Sequence, residues 1–401
     1  MRSLRLCLPG LLALVLFASG CPRPARPPIT RAEDALVAPS SAVSLRDDGD
    51  VESLKAAVAQ SLIWLQVQPP GRALVFGPRV VSAGRMLEVL TRLHARLATP
   101  LSPEELEAIV RADFEVLESA GGPEGGVLFT GYYEPVLEAS LTRDAEYATP
   151  LHAAPADLIE VPLEPFADRF KGEKVFGRLE GKRLVPYFTR AEILGGKLAG
   201  RGLELAYAKD PVAVFFLQVQ GSGVLRLPDG SERRVGYAAA NGRPYRSIGA
   251  RLIERGLVAK EAMSMQVLKA WLAANPSERD ALLDYNESYV FFRFLEGASL
   301  GNLGRPVTPG RSIATDVRMF PPGALAFIQT EQPEGSMETG YVWKPLARFM
   351  LNQDTGGAIR GPGRVDIFWG RGPAAELSAG LMKQKGRLFF LVPKVESPAA
   401  R

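Results

Sequence analysis

QDTGGAIRGPGRVDIFWG, residues 353–370, is the stretch whose reading decides the fold. It sets two carboxylates, Asp354 and Asp366, in a glycine-rich setting. Gly356 and Gly357 free the backbone to turn and to approach a ligand. Asp366 lies inside VDIFW, a run of strand-forming residues. A carboxylate among such neighbours is costly to desolvate unless it is paired or protonated. Burial there raises an Asp pKa, which keeps a carboxylic acid ready to donate a proton. The same pattern equally allows an edge strand with Asp366 facing solvent and Asp354 making a turn.

Working outward, the C-terminal part reads as short strands: residues 289–294, 324–330, 365–369 and 388–392. Between about 138 and 285 the chain reads as mostly strands. Its turns lie at residues 179–182 and at Pro228-Asp229-Gly230-Ser231. Helices are expected over 247–255 and 260–274, with a capping box at Thr189 and Glu192. The region before 120 reads as helical, over 52–66, 84–98 and from the Ser102-Pro103-Glu104-Glu105 capping box onward. Short strands with Gly and Pro turns suggest barrels and not alternating strand–helix units. The chain of 401 residues, 46% hydrophobic, is long enough for two domains or three.

The N-terminus carries Arg2 and Arg5, an apolar run from Leu11 to Phe17, and Ala18-Ser19-Gly20-Cys21. That is a lipoprotein-type leader, with cleavage before Cys21 and a lipid on its sulfur. Pro22 after the Cys gives no signal for inner-membrane retention, so an outer-membrane anchor facing the periplasm is expected. Residues 21–50, rich in Pro, read as an extended tether. Loss of Arg2 and Arg5 takes the formal charge from +4 to +2, too weak to suggest nucleic acid. Cys7 leaves with the leader, so the mature chain has neither a disulfide nor a Cys nucleophile. His94 and His152 are the only histidines, which argues against a zinc site and a Ser-His-Asp triad. Carboxylates are the leading catalytic candidates.

Three polar clusters fit that chemistry. In the first, Thr130, Gly131, Tyr132 and Tyr133 offer aromatic faces and hydroxyls suited to sugars, or else form barrel core. In the second, Gln218 and Gln220 alternate with apolar residues, so both amides would share one face of a strand, followed by Gly221, Ser222 and Gly223. The third comprises Asp316, Asp354 and Asp366. Tyr237, Asn241 and Tyr245 add further polar groups, and the methionines of Met263-Ser264-Met265-Gln266 read as core filler.

The chain resembles the membrane-bound lytic murein transglycosylase A family. The resemblance rests on FTGYYEP at 129–135, DPVAVFFLQVQGSGVLRLPDG at 210–230, VGYAAANGRPYRSIG at 235–249, MSMQ at 263–266 and ESYVFFR at 287–293. It continues with TPGRSIATD at 308–316, FPPGALAF at 320–327 and residues 353–370. It implies a mainly β fold with helical additions. A double-psi β-barrel catalytic domain would form from residues 51–137 and 286–396, with a β-rich substrate-binding domain, 138–285, inserted and a groove between them. It implies cleavage of the β-1,4 bond between MurNAc and GlcNAc in peptidoglycan, leaving 1,6-anhydro-MurNAc ends. Asp366 would be the acid/base, Asp354 and Asp316 would support it, and no metal or cofactor would be needed. Expected partners are glycan strands, the membrane through the lipid, and proteins of wall-synthesis or division complexes. A two-aspartate glycoside hydrolase and a non-catalytic murein-binding lipoprotein are the competing readings.

Overall fold

The computed structural model describes residues 27–123 and 125–394; Cys21 and the leader lie outside them. Six strands close into a barrel: β1 Val127–Glu134, β2 Ser312–Ala314, β3 Leu325–Ser336, β4 Gly340–Asp354, β5 Arg364–Arg371 and β6 Lys383–Pro393. The order around it is β6-β3-β4-β2-β5-β1, and β1 returns to β6. Two pairs, β4–β2 and β5–β1, are parallel, and the other four are antiparallel. Closure gives the central strands partners on both sides, as a barrel requires.

Three helices cover the barrel: α1 Val51–Gln66, α2 Ala83–Arg96 and α3 Pro103–Asp113. Asp50 caps α1 by accepting from the Ser53 N–H at 2.7 Å. Ser102 and Glu105 make both bonds of the capping box at α3. The buried face of α1, with Leu54, Ala57, Val58, Leu62 and Leu65, joins the barrel interior in a single core.

The expected tether at 21–50 is corrected over its described part. Ala35, Leu36 and Leu45 are fully buried in the barrel core. Leu36–Val37 pairs with Phe114–Ser119, which in turn pairs with β6. Asp47 is buried against Arg311. The apolar residues spaced among the prolines supply this docking, and a count of prolines does not register them.

The inserted part has a six-stranded sheet, in the order Val290–Leu295, Glu232–Ala240, Ser222–Arg226, Val136–Ser140, Glu204–Ala208 and Thr149–His152. A three-stranded sheet of Ile159–Pro162, Lys174–Glu180 and Arg183–Pro186 flanks it. Since Val290–Leu295 pairs along Glu232–Ala240, the chain leaves the insert after residue 295, not at the expected 285. The two helices expected in the insert are present as α5 Ile248–Glu254 and α6 Met265–Ala274, and two that were not expected join them, α4 Pro211–Gln220 and α7 Pro276–Tyr285. A last helix, α8 Pro373–Leu381, links β5 to β6.

Helix α4 overturns the strand reading of residues 215–223. Asp210 caps it through the Val212 N–H at 2.8 Å, Pro211 opens it, and Gly221 ends it at φ 84°. Its apolar residues face two cores at once. Val214 and Leu217 pack with the six-stranded sheet, and Phe215 and Phe216 pack with α5–α7. A helix buried on two sides shows no 3.6-residue polar stripe, and the short LQVQ alternation mimics a strand. In helical geometry Gln218 and Gln220 do not share a face.

Candidate functional site

Strand register builds the site from one row of residues. Ala314 on β2 pairs with Asp354 on β4 on one side and with Asp366 on β5 on the other. Asp366 pairs with Thr130 on β1, and Thr130 with Lys383 on β6. The β2–β4 register shifts at Ala314, and the two aspartates come close enough that each charge acts on the Tyr132 phenol and Asp366 acts on Asp354. With neighbouring strands about 4.8 Å apart, their Cα atoms are roughly 10 Å apart across Ala314.

Asp354 is held from three directions. Its Oδ2 accepts from the Tyr132 hydroxyl at 2.7 Å. Its Oδ1 accepts from the Asn302 N–H at 2.9 Å and the Thr355 N–H at 2.8 Å. Burial pushes its pKa up from 3.8 to about 6, against the pull of these donors, and the Asp366 charge adds to the rise. The Tyr132 phenol lies well above its ordinary range through burial and then the Asp354 charge, so it remains a donor. The preceding residue, Gln353, is tied to α1: its amide nitrogen donates to the Ala57 carbonyl at 2.7 Å and to Ser61 Oγ at 3.0 Å. The helical cover therefore fixes the end of β4 that carries Asp354.

Asp366 is held differently. Its Oδ1 accepts from the Thr130 hydroxyl and, at 3.3 Å, from Arg364 Nε. Among the described residues its Oδ2 has no hydrogen-bond partner, and its side chain keeps 19% exposure. Both carboxylates are half-buried, and the one whose pKa is raised is Asp354, whose sequence neighbours are polar. Asp366 stands in the middle of the row, paired with Arg364 and held by the Thr130 hydroxyl.

The raised Asp354 pKa has a sign that can be checked. The folded state holds this proton up to about pH 6, the unfolded chain only to 3.8. Its stabilising contribution is complete below the unfolded value and is lost as pH rises through 6. Between pH 4 and 7, denaturant unfolding should therefore move the stability difference toward Asp354→Asn by about 1–3 kcal/mol. Parallel stability curves for the two proteins would refute burial as the cause.

Comparison with known proteins places this geometry. The MltA-specific insert domain matches residues 128–293, and a 3D domain matches residues 311–392. The membrane-bound lytic murein transglycosylase A of Vibrio cholerae is 34% identical over 68% of this chain and 67% of its own. The chain belongs to the membrane-bound lytic murein transglycosylase A family. A crystal structure of a membrane-bound lytic murein transglycosylase from Agrobacterium tumefaciens superposes with a TM-score of 0.73 at 33% identity, covering 88% of this chain and 96% of that one. E. coli MltA with bound chitohexaose superposes with a TM-score of 0.68 at 28% identity, covering 90% and 94%.

Within this member of the MltA family, the other expected residues divide into groups. Asp316 is 2% exposed and lies outside the row. It accepts from Arg318 Nε at 3.0 Å, from Arg318 Nη2 at 2.8 Å and from the Gly361 N–H at 2.8 Å. Burial works against its charge, but these donors hold its pKa below the ordinary range. It thereby anchors the 361–364 loop that delivers Arg364 and Asp366. Gly131 serves packing: a Cβ there would lie 2.6 Å from the Trp369 indole nitrogen and 3.0 Å from Ala379 of α8.

Several expected sugar contacts are occupied within the fold. Asn241 is fully buried. Its amide donates to the Phe188 and Glu287 carbonyls at 2.8 and 2.9 Å and accepts from the Arg243 and Tyr289 N–H groups. Gln218 is 5% exposed and turned toward the Val290 carbonyl at 3.5 Å. Gln220 accepts from the Tyr133 N–H at 3.0 Å and so fastens α4 to β1. Buried Tyr133 meets Lys269 of α6 at 3.5 Å, and Lys269 pairs with Glu376 of α8 at 2.7 Å. Ser222 pairs with Gly236, and a Cβ at Gly223 would lie 2.8 Å from the Pro135 carbonyl. Asn241, Gln218 and Ser222 are thus tied within the insert, while Gln220 and Lys269 join it to the barrel through Tyr133 and Glu376. Tyr237 and Tyr245 remain half exposed, and Tyr245 lies within the field of Arg364 on the barrel side.

Sequence reasoning missed Ala314, Asn302 and Arg364 as parts of the site. Asn302 contributes only its backbone N–H, which no sequence pattern can reveal. The two-residue spacing of Arg364 and Asp366 along a strand was a usable signal. Among the described residues, no group of three or more His, Cys, Asp or Glu is arranged to hold a metal, and no helix is long and apolar enough to cross a membrane.

Proposed function

We propose that Asp366 is the acid/base of a peptidoglycan lytic transglycosylase that cleaves the β-1,4 bond between MurNAc and GlcNAc. One observation carries this reading: Asp366 Oδ2 is open, while both oxygens of Asp354 are taken by Tyr132, Asn302 and Thr355. A hydrolase needs a second carboxylate free to activate water or to attack the anomeric carbon. Asp354 is not free in that sense. A transglycosylase needs one carboxyl group. Protonated Asp366 gives its proton to the glycosidic oxygen as the C1–O bond breaks, and GlcNAc leaves with a 4-hydroxyl. The resulting carboxylate then takes the proton of the muramyl 6-hydroxyl, whose oxygen closes on C1. No water is consumed, and Asp366 ends protonated. The intramolecular hydroxyl acts at an effective concentration of about 10⁵–10⁸ M when well oriented. Thr130 and Arg364 orient Asp366, and Asp354 and Tyr132 hold the opposite side of the row.

The groove between barrel and insert would take a β-1,4 glycan, in keeping with the chitohexaose bound by the E. coli relative. A lipid on Cys21 would hold the enzyme at the outer membrane, facing the periplasm. End-group analysis tests the chemistry. Mass spectrometry of murein digested by the purified protein should show muramyl ends lighter by one water than reducing ends. Reducing ends alone would establish a hydrolase, and intact sacculi that only bind the protein would establish a non-catalytic one.

A further inference from the structure

Beyond Arg364, the partner of Asp366, lies a cleft of about 610 Å³ whose lining includes Ile29, Pro123, Arg318, Met319, Arg360 and Arg364 itself. Its walls are mainly apolar, and three guanidinium groups stand at its rim. Two of them are engaged, Arg318 by Asp316 at 2.8 Å and Arg364 by Asp366 at 3.3 Å. Glu173 of the insert adds a negative charge within reach of Arg318. Arg360 is different. It is exposed and donates only to the backbone carbonyls of Gly356 at 3.4 Å and Ile359 at 2.9 Å. Among the described residues it has no carboxylate partner.

A chain of N-acetylhexosamine rings carries no charge and offers such a group hydroxyl and carbonyl acceptors but no ion-pair partner. The muramyl residue does carry charge. Its C3 ether bears a lactyl group that continues into a short peptide with methyl groups and carboxylates. With the scissile ring at Asp366, the cleft is the neighbouring space open to such an arm, because Arg364 both bonds Asp366 at 3.3 Å and lines the cleft. We propose that the cleft receives the acidic lactyl-peptide arm of the muramyl residue, with methyl groups against its apolar walls and a carboxylate on Arg360. The inference rests on the assignment of a muramyl glycan to the groove. It makes Arg360 a residue that reads the substituent and not the sugar backbone. An Arg–carboxylate contact is charge-assisted and geometrically specific.

The test uses the full-length protein and Arg360→Gln. Substrates are peptide-bearing murein strands and the same strands with their carboxyl groups converted to amides; affinity for chitohexaose is measured by calorimetry. On native strands Arg360→Gln should raise KM by about fivefold, the scale of one partly exposed ion pair, with kcat unchanged. Amidation should raise the wild-type KM by a similar factor and add nothing to that of the variant. Chitohexaose affinity should be the same for both proteins. Equal KM values on native strands, or a loss of chitohexaose affinity matching the loss on murein, would overturn the proposal. Reducing ends in the products would overturn the transglycosylase reaction instead and leave the KM comparison intact.

Discussion

Asp366→Asn will lower the rate of murein cleavage by about 10²–10⁴-fold, the usual contribution of a positioned general acid. The amide is nearly isosteric with the carboxylate. Its Oδ1 can still accept from the Thr130 hydroxyl and from Arg364, so the side chain should stay in place. At the open position, however, an NH2 group replaces the oxygen that would carry the transferred proton. Affinity for chitohexaose and the melting temperature should therefore match those of the wild type while turnover is lost. Asp354→Asn should cost less, because both Asp354 oxygens are engaged by Tyr132, Asn302 and Thr355 and the open oxygen of Asp366 is left in place. A variant order in which Asp354→Asn is the more damaging would move the acid to Asp354, whose pKa near 6 would suit it to that role.

The second large effect concerns stability. Arg311 is 1% exposed, and all five of its donor positions are filled. Nη1 and Nη2 each bind one oxygen of Asp47, at 2.7 and 2.8 Å. The others reach the Phe349 carbonyl at 2.9 Å, the Asp50 carbonyl at 2.7 Å and Ser53 Oγ at 2.9 Å. The same group thus ties together the N-terminal segment, the start of α1, β4 and the approach to β2. Arg311→Ala strands the Asp47 carboxylate in a buried site, and loss of one member of a buried pair costs about 3–5 kcal/mol. In a thermal melt that corresponds to a fall on the order of 10 °C. Replacing both Asp47 and Arg311 by apolar residues should recover part of the loss, since it removes the unpaired charge. An unchanged melting temperature for Arg311→Ala would mean that solvent enters this cluster freely.

These two predictions mark how far the sequence could be read. Asp366 in its strand, the capping boxes of α3 and Thr189, and the split of the chain around an insert all follow from local pattern and from the ordered motif resemblance. The Asp47–Arg311 pair does not. Its partners are 264 positions apart, and the segment that holds Asp47 is proline-rich. Helix α4 escaped because burial on two sides erased its periodicity. The second half of the β3–β4 hairpin escaped because residues 340–346 are almost all exposed and lack strand alternation. Within the site, Asp366 was legible as chemistry, but its neighbours were not. Which residues flank it is set by strand register, and the decisive neighbour, Ala314, has no functional group to notice.

The closure of the barrel also dictates when this protein can exist as an enzyme. Thr130 and Asp366 are 236 residues apart, and β1 needs both β5 and β6 as partners. Contacts of such separation form late and slowly. A chain emerging N-terminus first can assemble α1–α3 and the sheets of the insert, but the row containing Asp366 cannot form until nearly the last strand is available. A chain cut short before residue 383 therefore lacks the partner that β1 needs on its other side, and the barrel around this row stays open.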